Sequence, residues 1–253
     1  MHRSSYESPL FLTLDGRDLK AGAPALPAGM PGVLRGEGVF EAFLVRRGLP
    51  TPYLSEHEAR LARSAALIDM DIGTNLMEGL TPFVNRLPKE EDWRVRLTLF
   101  RREDDGVSRM WSASIAPPPP LQVVLAISEV RRDPRDLLAG AKTISRVGLG
   151  LERRRALAAG AFEALIPTLD GDLAEGTSSN FFVVKNGVVR TPSLDRGILS
   201  GVTRSVVLGI CKKSGIPAVE ARVELEDLEN AEEIWITSSI LGVQPVVRIV
   251  GMP

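Results

Sequence analysis

The chain has 253 residues, of which 44% are hydrophobic and 25% are charged, and its formal net charge is −1. This length allows one large domain or two small ones, and the near-neutral charge gives no indication of nucleic acid or a membrane surface as a partner. Cys211 is the single cysteine and His2 and His57 are the two histidines, so neither a disulfide framework nor a His/Cys metal site is expected. No apolar stretch reaches the roughly 18 residues of a membrane span, and the start lacks a signal-peptide core. We therefore expect a cytoplasmic protein.

The first half of the chain predicts antiparallel strands around a helix. Apolar and polar residues alternate at 39–48 and again at 93–101, and a further strand is predicted at 108–116. Apolar residues at helical spacing predict a helix at 56–70. Four consecutive prolines at 117–120 favour a stiff, extended segment, which we interpret as a linker between a domain at 1–116 and a domain at 121–253.

The second half predicts a mixture of strands and helices. A buried strand is predicted at 121–130, a helix at 151–165 and a strand at 232–240. The dipeptide Asn186-Gly187 between two apolar runs is typical of a hairpin turn. A helix is predicted at 200–216, with Ser200 as its cap and two lysines in its last turn. The two halves together indicate two α+β domains.

Two features of the second half could carry chemistry. Lys142 lies among small residues in AGAKTISR, where burial would lower the pKa of its amine and make it a nucleophile toward a carbonyl group. A solvent-exposed lysine is the alternative. The helix start at 201–203 would present backbone N–H groups and the positive end of the helix dipole to an anion. An ordinary capped helix has the same pattern.

Other candidate residues also allow either a functional or a structural interpretation when each is considered alone. Glu175 precedes GTSSN and four apolar residues, which indicates a backbone that passes close to a ligand. Arg60 could bind a phosphate through two hydrogen bonds or lie on a solvated helix face. The hydroxyl run at 237–239 could add donors to the same anion or could open a loop. His57 is more typical of a structural histidine than of a catalytic one.

In their order along the chain, these stretches resemble the fold-type IV pyridoxal-phosphate enzymes. That family includes branched-chain aminotransferases, D-amino-acid aminotransferases and 4-amino-4-deoxychorismate lyases. The similar blocks run from Gly36 to Val246, and the most specific one surrounds Glu175, with the sequence EALIPTLDGDLAEGTSSNFFVV. The resemblance implies a two-domain α+β fold like that of D-amino-acid aminotransferase, with a smaller domain at 1–116, a larger cofactor-binding domain at 121–253 and an active site in the cleft between them.

The resemblance also implies a cofactor, a partner and residue roles. Pyridoxal 5′-phosphate is the expected cofactor, a small-molecule amine is the expected substrate, and a homodimer is the expected assembly. Lys142 matches the lysine that binds the cofactor covalently and later moves protons, Glu175 matches the carboxylate that faces the pyridine nitrogen, and Arg60 matches the arginine that binds the phosphate. The further positions are Val202, Thr203, Ser238 and Ser239 for the cofactor, and Arg96 and Ile240 for the substrate.

The resemblance leaves more than one reaction open. Aminotransferases of this family commonly have an Ala-Glu pair after the hydroxyl run, where this chain has Leu241-Gly242, and this difference is more similar to the lyases. An arginine four residues after Lys142 is also similar to the lyase pattern, although Ser145 replaces its asparagine. We therefore expect a lyase that converts 4-amino-4-deoxychorismate to 4-aminobenzoate and pyruvate on the folate route.

The alternatives come from two classes. One is an aminotransferase that acts on branched-chain or D-amino acids. The other is a degenerate binding subunit without activity, which is disfavoured because Lys142, Glu175 and Arg60 are all present. Relatives usually continue past the position of Pro253, so we expect part of the usual packing to be replaced.

Overall fold

The computed structural model describes residues 10–20, 23 and 25–252. The chain divides into two compact units, with one boundary between Pro118 and Pro119, inside the four prolines. The predicted domain boundary needs one correction. Residues 141–145 follow this boundary in the sequence, but they belong to the first unit. The reason is backbone pairing, because the N–H of Phe40 donates to the carbonyl of Lys142 and the N–H of Ile144 donates to the carbonyl of Gly38, both at 3.0 Å.

In its described part, the first unit is an antiparallel sheet of six strands with three helices. The strands are β1 (Phe11–Leu14), β2 (Arg17–Leu19), β3 (Gly38–Arg46), β4 (Leu49–Pro50), β5 (Asp92–Arg101) and β6 (Val107–Ile115), in the spatial order β2-β1-β6-β5-β3-β4. The helices are α1 (Pro31–Leu34), α2 (Leu54–Leu67) and α3 (Leu80–Val84). Alternate residues of β3 and β5, such as Phe43 and Leu97, are fully buried with Leu61 of α2. This alternation gives the sheet one core face and one outer face.

The second unit is a mixed sheet of eight strands in the described residues. The strands are β7 (Val123–Ile127), β8 (Glu163–Pro167), β9 (Leu173–Gly176), β10 (Asn180–Lys185), β11 (Val188–Pro192), β12 (Ala218–Ala221), β13 (Glu233–Ser238) and β14 (Gly242–Ile249), in the spatial order β12-β11-β10-β13-β14-β7-β8-β9. The helices are α4 (Val147–Ala158), α5 (Val202–Lys213) and α6 (Leu225–Glu229), with a short 3-10 helix at Leu194–Arg196.

Both faces of strand β10 are covered, which explains the apolar run at 181–184. Phe181 packs in a buried cluster with Ile236 and with Leu228 of α6. Phe182 belongs to a second cluster with Cys211 of α5, and its ring stacks on Trp235 at a centroid distance of 5.6 Å. A strand buried on both sides loses the alternation of a half-buried strand.

Several sequence predictions are confirmed by the described structure. Strands β3, β5, β6 and β13 and helix α2 lie within a few residues of their predicted bounds. The predicted hairpin turn joins β10 to β11. Asn186 and Gly187 have φ values of +53° and +69°, the left-handed conformation that such a turn requires.

Three of the sequence predictions need correction: a helix, a helix cap and a strand. The predicted helix at 151–165 is wrong in its second half, because α4 ends at Ala158, Gly160 adopts φ +78°, and residues 163–167 form β8. The predicted cap is also wrong, since the N-cap of α5 is Gly201 and none of the described side chains caps that helix. The predicted strand at 121–130 is shorter, and Leu121 at its start is 94% exposed.

Candidate active site

Lys142 lies on a short stretch of chain that runs along strand β3. Its carbonyl accepts the N–H of Phe40, and the next residue, Thr143, forms an antiparallel bridge with Val39. The backbone N–H of Lys142 donates to the hydroxyl oxygen of Ser64 on α2 at 3.0 Å. Both backbone polar groups of the lysine are therefore fixed, while its side chain is half-buried.

The ring of Phe40 is in contact with two cationic side chains. Arg96 Cζ lies 3.7 Å from the ring centroid and Lys142 Nζ lies 4.7 Å from it. Arg94 and Arg96 are two residues apart on β5, and the β3–β5 register places them on the sheet face that carries Phe40. This face presents two guanidinium groups and the lysine amine, an arrangement that suits an anionic substrate.

Arg60 does not lie on a solvated helix face. Its side chain is 5% exposed, its Nε donates to Glu41 Oε1, and its Nη2 donates to Glu41 Oε2, each at 2.7 Å. His57 Nδ1 lies 2.7 Å from the same Oε2, so one carboxylate contacts both Arg60 and His57. Glu41 occupies the Nε–Nη2 edge of the guanidinium.

Glu41 stays ionised although it is fully buried. Burial alone would raise the pKa of its carboxyl group, but hydrogen bonds from Arg60 and His57, together with the charges of Arg60 and Lys142, lower it to about 2. The charges of Glu41 and Arg60 compensate each other inside the first unit. The guanidinium is therefore oriented before any ligand binds.

Sequence reasoning missed Glu41, although its position carries a signal. Val39, Phe43 and Val45 occupy alternate positions on the core face of β3, and Glu41 takes the position between the first two. A carboxylate on the buried face of a strand needs a partner. In the structure that partner is Arg60, in the middle of α2.

Glu175 lies on β9 in the second unit and is 7% exposed. One of its carboxylate oxygens accepts a hydrogen bond from Arg132. The other accepts the side-chain amide of Asn180 and the backbone N–H of Leu199, both at 3.0 Å. A carboxylate can accept about four hydrogen bonds, so these three leave room for a ligand N–H. The sequence did not predict Arg132, which comes from the loop after β7.

The small residues after Glu175 form a loop that a second acid holds. Glu163 on β8 accepts the backbone N–H of Thr177 at 3.1 Å and the hydroxyl of Ser178 at 2.8 Å. Arg146 Nη2 donates to the carbonyl of Thr177 at 2.6 Å. The hydroxyl groups of this loop therefore have a structural role, in addition to the small size that the sequence analysis emphasised.

The start of α5 fits an anionic ligand. The first N–H groups of a helix have no acceptor within the helix, and among the described residues no side chain caps those of Val202 and Thr203. A Cβ atom on Gly201 would lie 1.9 Å from Asn180 Oδ1, so this helix start lies against the residue that binds Glu175. Thr237 pairs with Asn180 across β10 and β13, and its buried hydroxyl has no hydrogen-bond partner in the described part of the chain. The helix start and the orphaned hydroxyl together fit a phosphate group.

The remaining predicted residues lie just after Thr237. Ser238 ends β13, and its hydroxyl oxygen accepts the backbone N–H of Leu241 at 3.1 Å. Ser239 and Ile240 follow in the turn before β14, and both are half-buried. The structure thus places Lys142, Arg60 and Arg96 in the first unit, and Glu175, Val202, Thr203, Ser238, Ser239 and Ile240 in the second.

Comparison with known families identifies the chain. The model of the family described as amino-transferase class IV matches residues 38–249. The chain belongs to the class IV aminotransferase family. The predicted family resemblance and the predicted fold-type IV class are therefore confirmed.

Similar proteins carry more than one activity in their names. The chain is 35% identical to a putative branched-chain-amino-acid aminotransferase of Methanocaldococcus jannaschii, over 87% of this chain and 81% of the relative. It is 29% identical to an aminodeoxychorismate lyase of Bacillus subtilis, over 94% of this chain and 86% of the relative. It also matches a solved structure described as a hypothetical aminotransferase from Mycobacterium tuberculosis in its PLP-bound form, with a TM-score of 0.86 and 25% identity, over 96% of this chain and 92% of that one.

The family depends on pyridoxal 5′-phosphate, and the cofactor prediction is confirmed at this level. Within residues 10–20, 23 and 25–252, no group of three or more His, Cys, Asp or Glu residues is arranged to hold a metal ion. No helix in the same residues is both long enough and apolar enough to span a membrane.

Replacing Glu41 should make the stability of the protein less sensitive to acid. The pKa of Glu41 in the folded protein, about 2, is lower than the ordinary value of 4.5, so the ionised carboxylate stabilises the fold above pH 4.5 and this stabilisation is lost as the pH falls toward 2. We expect the wild-type protein to exceed Glu41→Gln by roughly 3 kcal/mol in free energy of unfolding at neutral pH, and by progressively less below pH 4.5.

Urea unfolding followed by fluorescence at a series of pH values measures this difference. Glu91→Gln is the matched control, since Glu91 is exposed, and it should stay within about 0.5 kcal/mol of the wild type throughout. A wild-type advantage over Glu41→Gln that stays constant through the acid range would contradict the assignment of a buried, ionised carboxylate.

Proposed function

We propose that this protein is a lyase that converts 4-amino-4-deoxychorismate to 4-aminobenzoate and pyruvate. The observation that carries the proposal is the turn after β13, which has Leu241-Gly242 where the family's aminotransferases commonly have Ala-Glu. The N–H of Leu241 donates to the Ser238 hydroxyl oxygen at 3.1 Å, and Gly242 adopts φ +69°. Neutral contacts close this turn, and residues 239–242 contain no carboxylate that would repel an anionic substrate.

The charges of the first unit support the same substrate. Both products of the proposed reaction carry a carboxylate, so the substrate carries two. Arg94 and Arg96 lie on the sheet face that carries Phe40, and Lys142 Nζ lies 4.7 Å from the centre of that ring. Two guanidinium groups can each bind one carboxylate through paired hydrogen bonds.

The predicted cofactor-binding residues each have a role in the proposed reaction. Lys142 would hold the cofactor covalently, and its amine would be free to act as a base once the substrate is bound. The resemblance assigns phosphate binding to Arg60 in the first unit and to the N–H groups of Val202 and Thr203 in the second, with Ser238 and Ser239 as further donors. Glu175 holds a proton at the pyridine nitrogen. The bound cofactor supplies an electron sink for the carbanion that proton removal creates.

The released amine of Lys142 is the base of the proposed reaction. It removes the proton from the ring carbon that bears the substrate nitrogen. The C–O bond to the enolpyruvyl group then breaks, the ring becomes aromatic, and the enol takes up a proton to leave as pyruvate. No oxidant, reductant or keto acid is consumed, because the atoms of the two products together equal those of the substrate.

The second candidate is an aminotransferase for branched-chain or D-amino acids. It is favoured by the 35% identity to the putative branched-chain enzyme of Methanocaldococcus jannaschii. It would use the same lysine, carboxylate and anion-binding groups and would differ in where the proton returns. A homodimer and a cytoplasmic location remain predictions in either case.

Product analysis separates the two reactions. We expect purified protein loaded with pyridoxal 5′-phosphate to release pyruvate and 4-aminobenzoate in equal amounts from 4-amino-4-deoxychorismate, without added keto acid. Glutamate formation from a panel of amino acids and 2-oxoglutarate, without pyruvate release, would establish the aminotransferase instead. The absence of both products would favour a binding subunit.

The matched variants in this assay are Lys142→Ala and Lys89→Ala. The first should abolish turnover, because it removes both the covalent attachment and the base. The second removes an exposed lysine of the first unit and should leave the rate unchanged.

Replacing Glu175 should slow the chemical step selectively. Glu175→Gln keeps the shape and an oxygen acceptor but cannot stabilise a protonated pyridine nitrogen. We expect turnover to fall by roughly two to three powers of ten, or about 3–4 kcal/mol of barrier, while the cofactor still binds. The single-turnover rate per bound cofactor is the quantity to measure.

Glu163→Gln is the matched control for this experiment. Glu163 is also a buried carboxylate, but its contacts hold the loop at 177–179. This variant should lose stability and cofactor occupancy while the remaining loaded protein turns over at the normal rate. If Glu175→Gln behaves like Glu163→Gln, Glu175 is a structural acid and its proposed role is wrong.

A further inference from the structure

The buried side of helix α2 contacts the site at two successive turns. Arg60 binds the carboxylate of Glu41 on this side. Ser64, four residues later, is fully buried, and its hydroxyl oxygen accepts the backbone N–H of Lys142 at 3.0 Å. Residues four apart in a helix lie on the same side, one turn of about 5.4 Å apart.

Strand β3 contacts the same two residues, Arg60 and Lys142. Glu41 fixes the guanidinium of Arg60, and the adjacent residue, Phe40, donates its backbone N–H to the carbonyl of Lys142 at 3.0 Å. Two neighbouring residues of β3 and two successive turns of α2 therefore hold Arg60 and Lys142 in one frame. Every contact in this frame lies within the first unit.

The Ser64 contact differs from the other contacts of the 141–145 segment. Ile144 donates its N–H to the carbonyl of Gly38 at 3.0 Å, and the Ser145 hydroxyl donates to the carbonyl of Gly36 at 3.1 Å. These bonds, like the Phe40 bond, attach the segment to β3 and to the residues just before it. The Ser64 bond connects the segment to α2 instead, and it does so at Lys142 itself.

We propose that Ser64 is a positioning residue for Lys142, which fixes the lysine backbone to α2 and thereby sets the place of its amine relative to Arg60. The proposal rests on the role given to Lys142 in the proposed function. A cofactor bound by its phosphate at Arg60 and by its carbonyl carbon at Lys142 requires a constant separation between the two residues. A lysine held only by β3 would have more freedom to move relative to the arginine.

Removal of the Ser64 hydroxyl should loosen this segment without emptying the phosphate site. Ser64→Ala leaves the N–H of Lys142 without its acceptor, and one lost hydrogen bond corresponds to about a five- to thirtyfold change in an equilibrium. We expect amide hydrogen exchange of the peptide covering 141–145 to accelerate by about that factor in the cofactor-free protein. We also expect the visible absorption of the lysine-bound cofactor to develop more slowly after pyridoxal 5′-phosphate is added, because the amine is less well placed.

Two variants complete the experiment. Ser64→Thr keeps the hydroxyl and should restore exchange protection and attachment rate toward the wild-type values. Ser128→Ala removes a buried hydroxyl of the second unit that accepts the backbone N–H of Val130 at 3.0 Å and donates to Glu152 Oε2 at 2.6 Å, so it loses a similar hydrogen bond and one more, away from Lys142. It should lower stability and leave exchange at 141–145 and the attachment rate unchanged.

The outcomes distinguish this proposal from the proposed function. If the wild-type protein never attaches the cofactor at Lys142, the proposed function is wrong. If the wild-type protein attaches it and Ser64→Ala equals the wild type in both exchange and attachment rate, the positioning role of Ser64 is wrong. Equal effects of Ser64→Ala and Ser128→Ala on both quantities would also overturn it, since a general loss of stability would then explain the result.

Discussion

The buried ion pair of Glu41 and Arg60 is the contact on which the first unit's part of the site depends. An isolated charge at this depth would cost several kcal/mol, and a carboxylate and a guanidinium tolerate burial together only when their hydrogen bonds are satisfied. The two 2.7 Å bonds between them, with His57 as a third partner, meet this condition. The pair orients the arginine and also ties α2 to β3, which are the two elements that hold the backbone of Lys142.

The second unit also contains buried carboxylates, and two of them differ in what they bind. Glu163 and Glu175 are both buried carboxylates beside the same hydroxyl-rich loop. Glu163 accepts donors from that loop, and we interpret it as a structural acid. Glu175 accepts three donors from other parts of the unit, including Arg132 and Asn180, and retains the capacity for one more. The difference between the two acids lies in their contacts and not in their burial.

Local signals in the sequence predicted much of the fold. Alternation predicted β3 and β5, and Asn186-Gly187 predicted the hairpin because few other dipeptides adopt two left-handed conformations. The predicted helix at 151–165 failed where Gly160 ends α4, since a doubly buried strand such as β8 has no alternation to distinguish it from a helix.

A candidate site could be proposed from the sequence where single residues have a distinctive neighbourhood, as with Lys142 and Glu175. It was not predictable where a residue acts through a partner distant along the chain. Arg132 binds Glu175 across 43 positions, and Ser64 binds Lys142 across 78. Hydrogen bonds of this kind leave no periodic pattern in one sequence. Glu41 lies between these two cases. Its place on the core face of β3 indicates that the carboxylate has a buried partner, but the sequence does not show which residue that partner is.

Chemical fixation of the cofactor tests the central claim, that Lys142 is the residue held for covalent attachment. Wild-type protein loaded with pyridoxal 5′-phosphate is reduced with borohydride, digested, and mapped by mass spectrometry. The account predicts a pyridoxyl group on the peptide that contains Lys142 and on no peptide that contains Lys20, Lys89, Lys185, Lys212 or Lys213. A label on any of those five lysines in place of Lys142, or no label on a protein that has bound the cofactor, would contradict it.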